Sequence, residues 1–376
     1  MRSIGFNKKN FNQKVFKNVE EVLRSGWLTH GKYTSLFERE FSKYVNSKYA
    51  VTVSSCTAAL HLSCLASGFT KGDEVIVPSM THVATAHAVE YTGAKPIFAD
   101  INLYDGNINF EEIKKKVNNK TKGIIVVHMA GLICDMKKIK NFCKKKKIKI
   151  IEDCAHALGS KFKKISAGNF GISGCFSFYP TKQITTGEGG MLVTNNYNFY
   201  KKIKELKAFG IDKDIDKRKK QGVYNVLSLG YNYRMTDFQA AMGYCQILNY
   251  KKNLKFRKKI ADSYYKILSK NRKIKLPKFD KGSSYFIFQI FLNRNIRDKI
   301  LNFFKNCKIG VSIHYAKPVP DMLYYKNKYK LNQTNYKNSK IYADTNISLP
   351  ISENITKEEV KYICNKLLEA INIYDK

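Results

Sequence analysis

The chain has 376 residues and a formal net charge of +37, and 44% of its residues are hydrophobic. This length exceeds what one small core holds and predicts two domains of unequal size, while the hydrophobic content excludes an intrinsically disordered chain. No run of about 18 apolar residues is present, so no membrane span is expected. The first residues also lack the apolar stretch of a secretory signal.

The positive charge by itself would suggest an acidic partner such as a nucleic acid. However, only nine of the 67 basic residues are arginine, so lysine supplies most of the charge. The lysines are dispersed, as on solvated surfaces, apart from short basic runs at residues 144–147 and 217–220. We therefore expect no nucleic-acid partner, although a positive field would attract an anionic small substrate.

The nine cysteines are scattered and form no C-x-x-C pair. In a chain without a secretory signal, this spacing predicts free thiols in a reducing compartment and no zinc site. We therefore expect a cytoplasmic protein that binds no metal.

The first part of the chain alternates between helical and strand patterns. Helical spacing covers residues 18–45, with a turn at residues 26–31, and a further helix runs from about residue 57 to residue 66. Strands are predicted at residues 49–53, 75–77, 96–99, 123–127 and 148–151, with helices at 81–91, 110–117 and 136–146. Short apolar strands that alternate with helices indicate a parallel sheet covered on both faces.

The pattern changes after residue 174. Strands at 175–178 and 191–194 are joined by a glycine-rich turn, and the polar segment 213–224 predicts a surface insertion or lid. A long helix at 237–268 would carry the chain out of the sheet, and a strand at 285–292 and helices at 297–307 and 357–373 follow it. We expect a large α/β domain over residues 1–250 and a small C-terminal α+β domain over residues 251–376.

Hydroxyl groups lie at the first strand-to-helix junction, Ser55-Cys56-Thr57-Ala58. Backbone N–H groups at a helix N-terminus, with hydroxyls beside them, form an anion site. A plain helix cap would show the same residues, so this feature alone does not establish a phosphate site.

Two acids, Glu152 and Asp153, follow an apolar strand, and His156 lies three residues further on. Ligands of parallel sheets sit at the carboxyl ends of the strands, where an acid could hold a protonated ring nitrogen. A helix N-cap is the alternative interpretation of the same acids.

Lys182 lies between a strand and a loop rich in glycine and threonine. An isolated lysine is usually a solvated surface charge, but desolvation in this apolar, hydroxyl-lined segment would lower its pKa and favour a nucleophilic amine. A hydroxyl-lined loop, an acid and then a lysine about 30 residues later match the arrangement that pyridoxal 5′-phosphate (PLP) chemistry needs. We therefore expect PLP as the cofactor.

The chain resembles the PLP-dependent sugar aminotransferases of the DegT/DnrJ/EryC1/StrS family, which have the aspartate-aminotransferase fold (fold type I). The resemblance runs over nearly the whole chain and is carried by residues 25–29, 72–79, 152–153 with 155–156, 177–190, and 230–237 with 239–241. It implies an α/β large domain, with a mainly parallel, mixed seven-stranded sheet, and a small α+β domain.

The resemblance also implies roles for individual residues around the cofactor ring. Lys182 would be the catalytic residue, which forms the Schiff base and moves the proton. Asp153 would pair with the pyridinium nitrogen, His156 would lie near the ring hydroxyl, and His82 would stack on the ring.

Further roles concern the phosphate, the substrate and the subunit arrangement. The phosphate would be bound from two subunits, by Thr57, Ala58 and Ser177 of one and Asn232 of its partner. The substrate would contact His314, Glu188 and Trp27. The enzyme would thus be a homodimer with its active sites at the subunit interface.

The implied reaction moves an amino group from L-glutamate to the ketone of a nucleotide-linked deoxysugar, in the synthesis of surface glycans such as lipopolysaccharide O-antigen or of related amino sugars. Amination of a keto-cyclitol or another keto-sugar stays open. Family members that act as sugar 3-dehydratases carry histidine at the lysine position, so Lys182 disfavours dehydration. A nucleic-acid-binding regulator is the other alternative, and it predicts salt-sensitive DNA binding.

Overall fold

The computed structural model describes residues 3–7, 9–212, 220 and 222–375. Its first half contains, in chain order, α1 (Gln13–Ser25), α2 (Lys32–Val45), β1 (Tyr49–Val53), α3 (Cys56–Ala66), β2 (Glu74–Pro78), α4 (Val83–Glu90), β3 (Lys95–Ala99), α5 (Phe110–Lys116), β4 (Thr121–Val127), α6 (Met136–Lys146) and β5 (Lys149–Asp153). Its second half continues with β6 (Lys161–Phe162), β7 (Ile165–Ser166), β8 (Ser173–Ser177), β9 (Gly190–Thr194), α7 (Tyr197–Leu206), α8 (Asp237–Leu268), β10 (Phe288–Phe291), α9 (Arg294–Asn306), α10 (Leu323–Tyr329), α11 (Lys337–Thr345), β11 (Asn346–Leu349) and α12 (Lys357–Tyr374).

A seven-stranded sheet organises the first part of the chain, with the strand order β1-β9-β8-β5-β4-β2-β3. Strand β9 runs antiparallel to both of its neighbours, and the remaining neighbours pair in parallel. All strands except β9 therefore point the same way, and their carboxyl ends meet at one edge. The predicted mainly parallel, mixed seven-stranded sheet is confirmed.

Helices cover both faces of this sheet because successive side chains of a strand point to opposite sides. Val51 and Val53 of β1 pack with the buried side chains of α3, whereas Ala50, which precedes Val51, packs with Phe37 and Phe41 of α2. Helices α4 and α7 join the first face, and the amino-terminal half of α8 joins α2 on the second. The sheet thus forms the middle of three layers.

The 32-residue helix α8 connects two hydrophobic clusters. Tyr250 packs with the cluster beneath the large sheet, whereas Ile260 packs with β10, β11, α9 and α12. Ile4, near the start of the chain, belongs to this second cluster. Hence the small C-terminal body also takes in N-terminal residues, and a domain boundary at residues 250/251 stays a prediction.

Most of the predicted lid at 213–224 falls outside the described residues, because 213–219 and 221 are not among them. No helix of the described chain has the length and apolarity to cross a membrane. All nine cysteines are free thiols, and eight of them are buried.

We expect Phe41→Ala to destabilise the fold, because Phe41 is fully buried and contacts the rings of Phe176 and Phe178 at centroid distances of 5.0 and 5.6 Å. The resulting cavity should lower the free energy of unfolding by about 3–5 kcal/mol, measured by urea titration at fixed protein and cofactor concentrations. Phe162→Ala, at an exposed position in the β6–β7 hairpin, is the control and should change stability by less than about 0.5 kcal/mol. Equal losses in the two variants would contradict the expectation.

Candidate active site

A cavity of about 440 Å³ opens at the edge where the parallel strands end. The loops that follow β1, β2, β5 and β8 lie at this edge and line the cavity. Its size falls within the range of about 300–1,000 Å³ that is typical of small-molecule sites. The C-terminal body closes it from the other side with His314 and Tyr315.

The cavity brings together most of the residues that the sequence predicted for the site. Eight of them line it: Thr57, His82, Asp153, His156, Ser177, Lys182, Glu188 and His314. Ala58, Trp27 and Asn232 are not among the lining residues. The functional roles of all these predicted site residues remain predictions, because their positions alone do not test the roles.

Asp153, the last residue of β5, is almost completely buried and held in one orientation. The Thr85 hydroxyl donates a hydrogen bond of 2.8 Å to its Oδ2 atom, and the Ala155 amide donates one of 3.1 Å to Oδ1. Thr85 is itself in contact with the Thr81 hydroxyl at 2.8 Å. These two hydrogen bonds fix the orientation of the carboxylate in the wall of the cavity.

Lys182 is half-buried, and its amine lies 4.4 Å from the centroid of the Phe286 ring. Desolvation lowers its pKa from the ordinary lysine value to about 8, although the negative charge of Asp153 works in the opposite direction. A larger fraction of the amine is therefore neutral near physiological pH than for an exposed lysine. This is the state in which an amine is a nucleophile or a base.

His156 is buried between aromatic rings. Its ring stacks on Phe286 with 4.4 Å between centroids, and its Nε2 atom lies 3.2 Å from the Tyr315 hydroxyl. Burial, helped by the positive charge of Lys182, lowers the pKa of His156 well below its usual value, so the ring is neutral. The buried Nδ1 atom has no hydrogen-bond partner among the described residues.

Two further histidines face the cavity in neutral form. Burial lowers the pKa of His314 to about 3, and its Nδ1 atom lies 3.0 Å from the Ser348 hydroxyl. Burial also lowers the pKa of His82, whose Nδ1 atom accepts a 3.2 Å hydrogen bond from the Ala84 amide and caps α4. His82 therefore both caps α4 and lines the cavity.

The amino-terminal end of α3 forms one wall of the cavity. Ser55 caps this helix, and its side chain accepts a 3.0 Å hydrogen bond from the Ala58 amide. The amides of Cys56 and Thr57 also belong to the first turn, so they have no acceptor inside the helix. Strand β9 starts against this turn at Gly190, where an added Cβ atom would come within 2.5 Å of the Ser55 backbone. The first turn of α3 thus offers the amides of Cys56 and Thr57 where these residues line the cavity. The Ala58 amide already donates to the Ser55 side chain.

Two predicted residues are exposed and do not line this cavity. Trp27 is 55% exposed, and its indole N–H donates to the His30 carbonyl at 3.4 Å. Asn232 is also exposed, and its Oδ1 atom accepts a 2.9 Å hydrogen bond from Arg234. Within one subunit, therefore, Asn232 does not reach the cavity formed by the same chain.

Tyr315 and Phe286 were not among the site residues predicted from the sequence. Tyr315 directly follows the predicted His314, so its chain position was the signal that could have found it. Phe286 is one of 23 phenylalanines and lies about a hundred residues after Lys182. Only the packing of the C-terminal body against the sheet edge brings its ring to the amine.

Three buried residues of metal-ligating types, His128, Glu152 and Cys154, have side-chain atoms within 4.8 Å of one another. Hydrogen bonds already occupy this group. Glu152 accepts from the amides of Gly168 and Phe170, and its Oε2 atom lies 3.0 Å from His128 Nε2. We assign this group a structural role.

The model of the DegT/DnrJ/EryC1/StrS aminotransferase family matches residues 9–368. The chain belongs to this family. It is 36% identical to GDP-perosamine synthase of Escherichia coli O157:H7 over 93% of this chain and 94% of that protein. It is 32% identical to UDP-4-amino-4,6-dideoxy-N-acetyl-beta-L-altrosamine transaminase of Campylobacter jejuni over 98% and 97% of the two chains.

Solved structures of similar proteins agree with this assignment. The PLP-form of the putative sugar aminotransferase Spr1654 from Streptococcus pneumoniae superposes with a TM-score of 0.92 at 29% identity, covering 99% of this chain and 100% of that one. The chain is therefore a PLP-dependent aminotransferase of fold type I.

The residues of this aminotransferase fit PLP on their own chemistry. The cavity offers an amine of low pKa at Lys182, a buried carboxylate at Asp153 and an unpartnered ring nitrogen at His156. It also offers the free amides at the start of α3, beside Thr57. An aldehyde, a protonated ring nitrogen, a ring hydroxyl and a phosphate each have a chemically suitable partner there.

We expect the attachment of PLP to the full-length, cofactor-free aminotransferase to follow the titration of Lys182. Only the neutral amine attacks an aldehyde, and its pKa is about 8. The rate constant, followed by the absorbance of the cofactor, should therefore rise about tenfold per pH unit below pH 8 and level off above it. An ordinary lysine, with a pKa of about 10.4, would instead give a rate that rises up to about pH 10, and that result would contradict the assignment.

We expect Thr85→Val to weaken PLP binding about 10- to 100-fold, because hydrogen bonds to charged groups are worth about 1.5–3 kcal/mol. The substitution keeps the shape of the side chain but removes the hydroxyl that donates to Asp153. Thr85→Ser is the control, since it keeps this donor. Fluorescence titration of the cofactor-free variants with PLP measures the affinities, and equal affinities of the two variants would argue against the role of this bond.

Proposed function

We propose that this aminotransferase moves an amino group from L-glutamate to the ketone of a nucleotide-linked deoxysugar, in the synthesis of a surface glycan or a related amino sugar. The observation that carries the proposal is the position of Lys182, a desolvated amine in the same cavity as the oriented carboxylate of Asp153. Two similar proteins are named for a GDP-linked and a UDP-linked amino sugar, which supports a nucleotide-linked substrate.

Bound PLP would supply a ring that withdraws electrons from the carbon next to the transferred nitrogen. Asp153 would hold a positive charge at the far end of that ring, because its carboxylate is buried and oriented. The Lys182 amine would take the proton from the α-carbon of the amino donor. Proton transfer by one positioned base contributes about 10²–10⁴-fold to the rate.

The neutral histidines would shape the cavity without adding positive charge near Lys182. His156 would meet the ring hydroxyl through its unpartnered Nδ1 atom, and His82 would lie against the ring. His314 and the exposed Glu188 would contact the sugar at the mouth of the cavity. The net charge of +37 would attract the anionic nucleotide part of the substrate.

The proposed enzyme acts as a homodimer in the cytoplasm. Leu227 and Leu229 are 64% and 84% exposed, and they lie in the segment that leads to Asn232. An apolar surface of this kind suits a partner subunit. Asn232, which does not line the cavity of its own chain, would then complete the phosphate site of the partner. Nine free thiols are consistent with a reducing compartment.

We expect Lys182→Ala to abolish transamination and the visible absorbance of lysine-bound cofactor, because it removes both the attachment point and the base. Lys161→Ala, which changes an exposed lysine, is the control and should retain full activity. Production of 2-oxoglutarate from glutamate, with a panel of nucleotide-linked keto-sugars and keto-cyclitols as acceptors, measures the reaction. Normal turnover by Lys182→Ala would refute the proposal, and turnover of cyclitols alone would redirect the assignment of the substrate.

We expect mixed dimers of Lys182→Ala and Asn232→Ala to regain activity that neither variant has alone. If Asn232 acts across the interface, each hybrid contains one site with both native residues, and random mixing should restore about a quarter of the wild-type activity. Activity is measured after the two inactive variants are exchanged in mild denaturant. Absence of any recovery, with hybrids present by native mass spectrometry, would show that Asn232 does not act in the partner's site.

A further inference from the structure

An N-terminal arm, defined as residues 3–7 and 9–12, runs from the C-terminal body to the loop that carries Lys182. Ile4 pairs with Ile309 in a parallel bridge, and its side chain is buried in the cluster of the C-terminal body. Phe6 then stacks on His314 with 5.8 Å between ring centroids. The arm is therefore attached to the same body that closes the cavity.

The next residues of the arm bind the Lys182 loop on both sides of the lysine. The Asn7 amide nitrogen donates a hydrogen bond to the carbonyl of Thr181. The Lys9 amine donates a hydrogen bond of 2.9 Å to the carbonyl of Gln183. Both accepting residues lie outside helices and strands, so regular backbone pairing does not supply partners for their carbonyls. The arm supplies these partners instead.

Lys9 is held by a buried ionic group. Its side chain is 11% exposed, and its amine lies 3.7 Å from the carboxylate of Glu353. Glu353 also lies 3.6 Å from the guanidinium of Arg257, which is fully buried. Burial, helped by the nearby Arg257 charge, lowers the pKa of Lys9 to about 8. Burying a lysine amine costs free energy unless the amine is paired with an opposite charge and hydrogen-bonded.

The same ionic group also contacts the segment that carries Phe286. The Arg257 Nη1 atom donates to the carbonyl of Phe286 at 3.3 Å and to that of Ile351 at 3.0 Å. The ring of Phe286 faces the Lys182 amine. The backbone of the Lys182 loop and the residue whose ring faces its amine are therefore both connected to the group formed by Lys9, Glu353 and Arg257.

We propose that Asn7 and Lys9 are positioning residues for Lys182, which hold its loop so that the amine meets the aldehyde carbon of the cofactor. The inference rests on the proposed attachment of PLP to Lys182. Attachment joins the amine nitrogen to that carbon and releases one water molecule, so its rate depends on the placement of the amine. Small displacements of a reacting group cost up to about 100-fold in rate.

The test compares two ligands on full-length, cofactor-free protein. PLP needs Lys182 for covalent attachment, whereas pyridoxamine 5′-phosphate fills the same cavity without a bond to the lysine. We expect Lys9→Met and Asn7→Leu each to slow the attachment of PLP about 10- to 100-fold, measured by stopped-flow absorbance. The dissociation constant for pyridoxamine 5′-phosphate, measured by fluorescence, should stay within about twofold of the wild-type value.

Lys14→Met is the matched control, since Lys14 is an exposed lysine on α1, and both of its measurements should equal those of the wild type. The proposal would be overturned if Lys9→Met and Asn7→Leu weakened the binding of pyridoxamine 5′-phosphate by as large a factor as they slowed the attachment of PLP. Such a result would indicate a general role in stability. Unchanged attachment rates in both variants would overturn the proposal as well. Failure of the wild-type protein to attach PLP at all would instead refute the proposed function, and the positioning role with it.

Discussion

The carboxylate of Asp153 is the charge around which this site is arranged. It ends β5, a central strand of the large sheet, and is only 4% exposed. A buried carboxylate is costly without hydrogen bonds, and the Thr85 hydroxyl and the Ala155 amide provide them. Thr85 lies on α4, which follows β2, and β4 separates β2 from β5 in the sheet. The orientation of the Asp153 carboxylate therefore depends on the assembled fold.

The same exclusion of water determines the charge states of the groups that face Asp153. Desolvation lowers the pKa of Lys182 to about 8 and keeps His156 and His314 neutral. A cavity with three cationic imidazoles beside the lysine would suppress protonation of the amine and repel a protonated ring. Burial thus gives a cavity in which His156 and His314 are neutral and the Lys182 amine loses its proton more easily than an exposed lysine does.

The C-terminal body contributes to the site as directly as the large sheet does. Phe286 lies against Lys182 and His156, and Tyr315 lies within hydrogen-bonding distance of His156. The long helix α8 and the N-terminal Ile4 both pack into this body. The cavity wall therefore depends on contacts between parts of the chain that are distant in sequence, and a change in that packing would move the aromatic rings relative to the amine.

The amino-acid sequence alone determined the elements and the candidate residues that depend on short-range patterns. Helix α8 begins and ends where its spacing predicted, at Asp237 and Leu268, and Lys182 follows a strand as expected. The two-residue strands β6 and β7 were not predicted, because such short strands show no alternation, and helix α7 was missed as well. Only the tertiary structure decided the insertion of antiparallel β9 between β1 and β8, and the meeting of Phe286 and Lys9 with the Lys182 loop. Local periodicity reports which face of an element is buried, whereas distant pairings depend on the packing of the whole chain, which no short stretch of residues contains.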